Sequence, residues 1–411
     1  MAHDVGRAVA PAGQAHTATT PNPTRLYYVD NLRIALTALV VLHHVALTYG
    51  NIPAWYYTEP AKDGTGLVLD AFVTLNQAFF MGFFFMIAGY FTPASYDRKG
   101  PRPFLRDRLK RLGIPLLLFL LLIRPVTDFG GYLHLRDAFA QRGDSLPYWI
   151  YYLASWDAGP MWFVEVLLAF ALVYAIVRRR AARRLQHATG GTEFGRSPSI
   201  DPSTLDRSTP RAPRPRAIAL FTVGLALATY GWRILVPNDM TVPFLGLPTP
   251  SFAVQYASFF VLGVLAYRRG WPQALSRRAG RWGFVVATVA TLAYLPVLAT
   301  AKAGTLNGHG SWQSLIGAAW ESAFAVGIVL GLTVTFREHL NRQGRSAAFL
   351  SPHAFAVYVL HAPVLVALGH AFGWLHAPAV AKFAVVAALA LPLCWALAYA
   401  VRRLPHADRV L

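Results

Sequence analysis

Long apolar segments alternate with short polar or basic ones along the chain. About ten of these segments approach the ~20 residues that a helix needs to cross the hydrocarbon core of a bilayer. The predicted spans are residues 29–49, 67–94, 113–128, 159–177, 217–236, 251–267, 282–300, 313–335, 350–370 and 378–400. The pattern therefore predicts an all-α, polytopic integral membrane protein with about ten transmembrane helices.

Basic residues are concentrated in every second loop between these spans. The segments that are rich in Lys and Arg are residues 95–112, 178–216, 268–281, 336–348 and 401–411. The intervening loops hold only Lys62, Arg136, Arg142 and Lys302. Because loops rich in Lys and Arg stay on the cytoplasmic side, this alternation predicts a multi-pass protein of the cell (inner) membrane with both termini in the cytoplasm.

Polar segments without hydrophobic periodicity divide the chain. Residues 1–27 are rich in Ala, Pro and Thr, and residues 178–216 are rich in Pro, Ser, Thr and Arg. Such compositions predict a disordered N-terminal tail and a disordered cytoplasmic loop. We expect residues 28–400 to form one membrane domain, followed by a cytoplasmic tail over residues 401–411.

Composition narrows the possible functions. Of the 411 residues, 55% are hydrophobic and 14% are charged, whereas soluble domains carry about 25% charged residues. The net charge of +19 belongs to the alternate loops, so we expect no nucleic-acid partner. Cys394 is the one cysteine, and no zinc-protease, P-loop or nucleophile-elbow motif occurs. Metal-free acid–base chemistry or transport remains, with no metal and no bound cofactor expected.

The first span carries two ionisable residues on one face. Arg33 and His44 are eleven positions apart, which corresponds to about three helical turns and a rise of about 16 Å. Ionisable residues inside a span are costly and usually face a polar interior. A neutral imidazole can take a proton from a hydroxyl near neutral pH, although His44 could equally form a hydrogen bond between helices. Asp30 lies near the start of this helix, where pairing with Arg33 is as plausible a role as catalysis.

Other spans add polar residues in unusual places. Glu165 is a carboxylate inside the fourth span, one turn from Trp162, and Tyr358 and His361 lie one turn apart in the ninth. These side chains could line one cavity with His44, or they could hold helices together by hydrogen bonds.

Arg108 and Arg111 lie at the predicted cytoplasmic mouth of the third span. The planar guanidinium group of arginine binds phosphate oxygens well, so the pair could hold a phosphate-bearing acyl carrier such as coenzyme A. Basic residues are also common at the inner ends of transmembrane helices.

Four stretches of the sequence occur in an order that is typical of one family of membrane proteins. They are VDNLRIALTALVVLHHV (29–45), FFFMIAGYFTP (83–93) with FLRDRLKRLGIP (104–115), MWFVEVLL (161–168) and FAVYVLHAPVL (355–365). In this ordered set, from about residue 25 to 400, the chain resembles the bacterial membrane-bound acyltransferase-3 family. That family includes O-antigen and peptidoglycan O-acetylases, the glucan succinylation protein and macrolide acyltransferases.

The resemblance implies an integral membrane O-acyltransferase. Its donor would be a cytoplasmic acyl-CoA carrying an acetyl or succinyl group, used as a co-substrate. Its acceptor would be a hydroxyl of a carbohydrate or of another small molecule of the envelope or of secondary metabolism. The resemblance assigns His44 as the general base, with Arg33 and Glu165 as further catalytic residues. Arg108 and Arg111 would bind the donor. Residues expected to line the cavity are Asp30, Trp162, Tyr358 and His361.

Two other functional interpretations of the same residues remain open. A transporter of a small polar or acylated molecule could line its pathway with these polar side chains. A non-catalytic partner in an envelope-polymer assembly could use them for packing alone.

Overall fold

The computed structural model describes residues 25–188, 211–240, 250–302 and 304–411. Helices dominate these ranges, and no strand occurs within them. The helices are α1 (Tyr27–Tyr49), α2 (Gly66–Gln77), α3 (Phe80–Lys99), α4 (Pro101–Arg108), α5 (Ile114–Leu118), α6 (Arg124–Thr127), α7 (Phe129–Ala140), α8 (Tyr148–Ala154), α9 (Trp162–Ala188), α10 (Pro215–Leu235), α11 (Ala253–Arg269), α12 (Trp271–Ala274), α13 (Arg277–Thr300), α14 (Trp312–His339), α15 (Arg345–Ala371) and α16 (Ala379–Arg402).

The predicted polytopic all-α architecture is confirmed. In the described ranges, nine helices are long and apolar enough to cross a membrane. A tenth is added if residues 101–127 and α7, which meet at a bend of 52°, count as one broken span. The orientation of the termini remains a prediction.

The third span begins earlier than predicted. The basic segment 95–112 is helical for most of its length, because α3 runs to Lys99 and a new helix starts at Pro101. Two π-helical turns, Leu109–Gly113 and Phe119–Ile123, separate α4, α5 and α6. Each turn contains the residue four positions before a proline, Pro115 or Pro125. A proline ring presses on that carbonyl group and cannot donate to it, so the helix widens there.

The fourth span is longer than predicted. α9 continues to Ala188, so residues 178–188, expected to be part of a disordered loop, are helical. The run of Arg and Ala residues after Val177 favours helix and extends the span beyond the apolar segment. α10 likewise begins at Pro215, inside the expected loop. The rest of that prediction, residues 189–210, lies outside the described residues, as does the predicted disorder of residues 1–24.

α1 lies at the centre of the bundle. It packs against α2, α3, α14, α15 and α16. A helix surrounded in this way meets other protein on most sides, so its ionisable side chains need polar partners or cavities. This position surrounds His44 with neighbouring helices, while the Arg33 side chain remains 40% exposed.

The loop after α1 folds back over the end of that helix. The amide of Glu59 donates to the carbonyl of Thr48 at 2.7 Å, and Lys382 of α16 forms an ion pair with Glu59. Asp63 accepts from the first amide of α16, Ala379 N, at 3.0 Å. The Thr65 hydroxyl, with the backbone amides of Thr65 and Ala379, holds the pKa of Asp63 below its usual range. These contacts attach the loop to both α1 and α16.

Candidate active site

A cavity of about 850 Å³ opens beside the second half of α1. His43 and His44 line it from α1, and its wall also contains residues of α2, α3, α9, α10, α13, α14 and α15 and of the connecting loops. We call this space the histidine cavity. Its volume is in the range of small-molecule binding sites.

The backbone of α1 determines the tautomer of His44. Its Nδ1 lies 2.8 Å from the carbonyl oxygen of Val40. Because a carbonyl oxygen can only accept, Nδ1 carries the hydrogen and Nε2 keeps a free lone pair. His44 can therefore accept a proton at Nε2.

Two aromatic rings hold the imidazole of His44 in place. The Trp55 ring centroid is 4.1 Å from that of His44, and the His361 centroid is 4.9 Å away. His361 is fully buried, and its Nδ1 lies 2.7 Å from the carbonyl oxygen of Tyr358. His361 therefore packs behind His44 and does not line the histidine cavity. Trp55, in the loop after α1, was missed by sequence reasoning because nothing local links it to His44.

His43 has a different environment. The Asn76 side-chain amide lies 3.3 Å from His43 Nδ1, and since an amide N–H donates, this nitrogen accepts. The ring also stacks on Phe80 with a centroid distance of 5.0 Å. His43 is thus engaged in packing between α1 and its neighbours, while His44 keeps its Nε2 lone pair.

A second cavity, of about 720 Å³, opens beside the first half of α1. We call it the basic cavity, because seven cationic side chains and only two acidic side chains of the described residues line it. The cations are Arg33, Arg98, Lys99, Arg108, Arg111, Arg402 and Arg409. Sequence reasoning singled out three of them and counted the other four as topology-determining charges.

Several of these cations have no carboxylate partner. In the described part of the chain, Arg108 and Arg111 form no salt bridge, whereas Lys99 pairs with Asp107 at 2.5 Å. The Arg108 guanidinium lies over the Phe104 ring at 5.4 Å from its centroid. Unpaired guanidinium groups in a concave wall favour a polyanionic ligand.

Arg33 and Asp30 lie at the same end of α1 as the basic cavity. Arg33 lines that cavity and is 3.9 Å from Asp30, a long contact. Asp30 is held more closely by Arg25, at 2.8 Å, and it lines neither cavity. Arg33 and His44 therefore share helix α1 but face two different cavities.

The two cavities share wall residues. Met81 and Tyr358 line both. The Tyr358 hydroxyl donates to the carbonyl oxygen of Pro160, just before α9. Tyr358 and Met81 thus mark where a long molecule lying in one cavity would enter the other.

The start of α9 contributes Trp162 and Glu165. Trp162 lines the histidine cavity and stacks on Tyr256 with a centroid distance of 5.3 Å. Glu165 lines neither cavity, and its Oε2 is buried with no hydrogen-bond partner in the part of the chain that the structure describes.

A buried ion pair forms part of the histidine cavity wall opposite α1. Arg233 of α10 donates to Glu321 of α14 at 2.7 Å, and both side chains are almost fully buried. Gln255 donates to the second oxygen of Glu321 at 3.2 Å. Sequence reasoning did not find this pair, since Arg233 stands at a helix end where a basic residue is ordinary.

Comparisons with known proteins agree on one family. Residues 26–399 match the acyltransferase-3 family, which is described as an acyltransferase domain. Glucans biosynthesis protein C of Escherichia coli O157:H7 is 26% identical over 364 residues, which cover 84% of this chain and 83% of that protein. The protein of the same name from Salmonella schwarzengrund is 25% identical over 373 residues, 85% of each chain. No solved structure matches the chain.

The family match spans nearly all of the described membrane domain, and the nine membrane-crossing helices agree with it. The chain therefore belongs to the acyltransferase-3 family and is a multi-pass O-acyltransferase of the inner membrane.

Proposed function

We propose that this enzyme moves an acetyl or succinyl group from acyl-CoA in the basic cavity to a hydroxyl group in the histidine cavity. The observation that carries this proposal is the pair of cavities at the two ends of α1, which share Tyr358 and Met81. One cavity suits a polyanionic donor, and the other contains a histidine with a free lone pair.

The donor half of the proposal is supported by charge. Coenzyme A carries several phosphate groups, and Arg108 and Arg111 offer unpaired guanidinium groups toward the cavity. Arg33 is about 16 Å from His44 along α1, too far to touch the reacting carbonyl group. We therefore assign Arg33 to donor binding with Arg108 and Arg111.

The chemical step follows from the tautomer of His44. The acceptor oxygen attacks the thioester carbonyl carbon while His44 Nε2 takes the hydroxyl proton. The carbon–sulfur bond then breaks, and the proton passes from His44 to the leaving sulfur, which leaves as the thiol. Trp55 and His361 hold the imidazole in the orientation that this transfer needs.

Glu165 and Tyr358 would assist at the passage between the cavities. Tyr358 forms part of both walls, and Glu165, on the helix that follows Pro160, has a buried Oε2 with no hydrogen-bond partner among the described residues. We assign the pair to guiding the pantetheine arm of the donor toward His44.

The relatives' name supports a carbohydrate acceptor. Both relatives named above are called glucans biosynthesis protein C. We propose that the acceptor hydroxyl belongs to a glucan or to another carbohydrate-containing molecule of the envelope. The histidine cavity contains aromatic rings, Trp162 and Trp320 among them, that can pack against a sugar.

The first prediction tests His44. We expect His44→Ala to lower acyl transfer by about 10²–10⁴-fold, the contribution of a general base. The measurement is thiol release and label transfer from radiolabelled acetyl-CoA or succinyl-CoA to glucan acceptors, with protein in nanodiscs. His353→Ala is the matched control, because His353 Nδ1 makes the same kind of backbone contact, to Phe349 O at 2.6 Å, outside both cavities. Normal turnover of folded His44→Ala protein would refute the mechanism.

A further inference from the structure

The walls of the histidine cavity do not close around it. α1 and α14 pack together, α2 packs on α1, and α13 packs on α14. Among the described helices, none packs closely against both α2 and α13. The side of the cavity between α2 and α13 is therefore covered by no described helix, and we take it as the open side of a trough.

The rim of this open side carries exposed leucines on both helices. Leu67 of α2 and Leu295 and Leu298 of α13 line the cavity. Leu67 is 69% exposed, and Leu295 and Leu298 are each 49% exposed. Helices with exposed leucines in a membrane protein face lipid, so the opening leads into the bilayer.

The trough reaches to about the middle of the membrane. Cavity-lining residues on α2 extend from Leu67 to Gln77, a rise of about 15 Å. This is close to half of the ~30 Å hydrocarbon core. The opening therefore spans one leaflet, at the same end of the bundle as His44.

Polar groups lie inside the trough. His44 and Asp70 line one wall, and Glu321, paired with Arg233, lines another. A ligand that fits has a polar head for these groups and an apolar chain for the leucine rim.

We propose that the acceptor is a membrane-resident amphiphile with a hydroxylated head group. The head reaches His44, and an alkyl or isoprenoid chain lies between α2 and α13. The molecule enters sideways from the leaflet, so its chain stays among apolar groups throughout. This inference rests on the proposed function, in which the histidine cavity takes the acceptor hydroxyl.

The test compares two acceptors with the same head group. Protein in nanodiscs receives radiolabelled acetyl-CoA and either hexadecyl β-glucoside, at low mole fraction, or methyl β-glucoside. We expect kcat/KM for the long-chain glucoside to exceed that for methyl glucoside at least about tenfold. The double variant Leu67→Trp/Leu298→Trp, which narrows the opening, should reduce this ratio to near one. Equal use of both glucosides by the wild type would overturn the proposal.

Two controls make the result specific. Val68→Trp/Val285→Trp places the same bulk on the same two helices, at exposed positions that do not line the cavity; it should keep the wild-type ratio. Octanoyl-CoA as donor tests whether the trough holds a long acyl chain instead. A preference for octanoyl over acetyl that disappears in Leu67→Trp/Leu298→Trp, without any acceptor preference, would overturn the proposal.

A binding measurement separates this inference from the proposed function. A hexadecyl glucoside with a diazirine in its chain should label residues 67–77 and 291–298 in the wild type and equally in His44→Ala. Labelling confined to residues outside the trough would overturn the amphiphile proposal, whether or not turnover is seen. Failure of every acceptor to show His44-dependent transfer, with the trough still labelled, would refute the proposed function alone.

Discussion

At the scale of single residues, a backbone contact within one helix turn leaves Nε2 of His44 without the ring hydrogen. His353 shows that the same contact forms elsewhere, with Phe349 O. The difference is the surroundings: His44 is packed between Trp55 and His361 at the wall of a cavity. A histidine becomes useful for proton transfer when its free nitrogen is held where a substrate can reach it.

The arginines of the basic cavity give a prediction at this scale. Replacing Arg108 and Arg111 together with Gln should raise KM for acyl-CoA at least about tenfold, since each charge-assisted hydrogen bond contributes ~1.5–3 kcal/mol. The turnover rate at saturating donor should change much less. Steady-state kinetics with varied acyl-CoA measures both quantities.

Arg106→Gln is the matched control for this pair. Arg106 lies on α4 with Arg108 but does not line the basic cavity. Its substitution should leave donor KM near the wild-type value. If the Arg108/Arg111 variant also kept a normal donor KM, the donor site would lie elsewhere.

At the scale of elements, small residues allow two helices to approach closely. A Cβ added to Gly263 of α11 would lie 2.0 Å from the carbonyl oxygen of Met86 on α3. A Cβ on Gly89 of α3 would lie 2.1 Å from Phe260 O. Such backbone contacts are typical of membrane helix pairs, where small residues provide the packing. The α3–α11 crossing holds the wall that carries Met81.

Gly263→Ala should therefore destabilise the protein. The methyl group forces the helices apart, with an expected loss of about 1–3 kcal/mol in the free energy of unfolding. Gly224→Ala is the control, because a Cβ at Gly224 meets nothing within 4 Å, and alanine should be neutral or stabilising in that helix. Thermal unfolding in detergent compares the two, and equal melting temperatures would contradict the close crossing.

The ion pair between α10 and α14 gives a second element-scale prediction. Arg233→Met leaves Glu321 buried without its partner, which should cost about 3–5 kcal/mol of stability. The double variant Arg233→Met/Glu321→Leu removes both charges and should recover most of the loss. Chemical unfolding of both variants measures this difference; a double variant no more stable than the single one would refute the pairing.

At the scale of the whole molecule, the two cavities lie at opposite ends of one central helix. Arg33 near the start of α1 and Arg402 at the end of α16 line the same basic cavity. The first and last helices therefore contribute cations to the same end of the bundle. Together with the basic loops, this arrangement favours a donor from the cytoplasm.

Sidedness can be measured directly. We expect membrane-impermeant acyl-CoA to support acyl transfer when added to inverted membrane vesicles but not when added to right-side-out vesicles. The reason is that the cations of the basic cavity belong to the side rich in Lys and Arg. Permeabilised right-side-out vesicles are the control and should regain activity. Transfer in intact right-side-out vesicles would reverse the proposed orientation.

Sequence alone predicted most of the helices and the separation of Arg33 from His44. Apolar length reports a transmembrane helix directly, because every buried backbone group must be satisfied within the segment. The helical repeat likewise placed the two side chains on one face. The third span was harder to place, since the proline-induced π turns at Leu109–Gly113 and Phe119–Ile123 let the helix continue through a basic segment.

What only the tertiary structure decided is which distant residues meet. Trp55 covers His44, Arg233 pairs with Glu321, and Arg402 lines the same cavity as Arg108. These contacts depend on how helices pack and how loops fold back, and no local repeat encodes them. The sequence determined a membrane bundle, a polar face on α1 and a family; packing of the helices divided that face between a basic cavity and a histidine cavity.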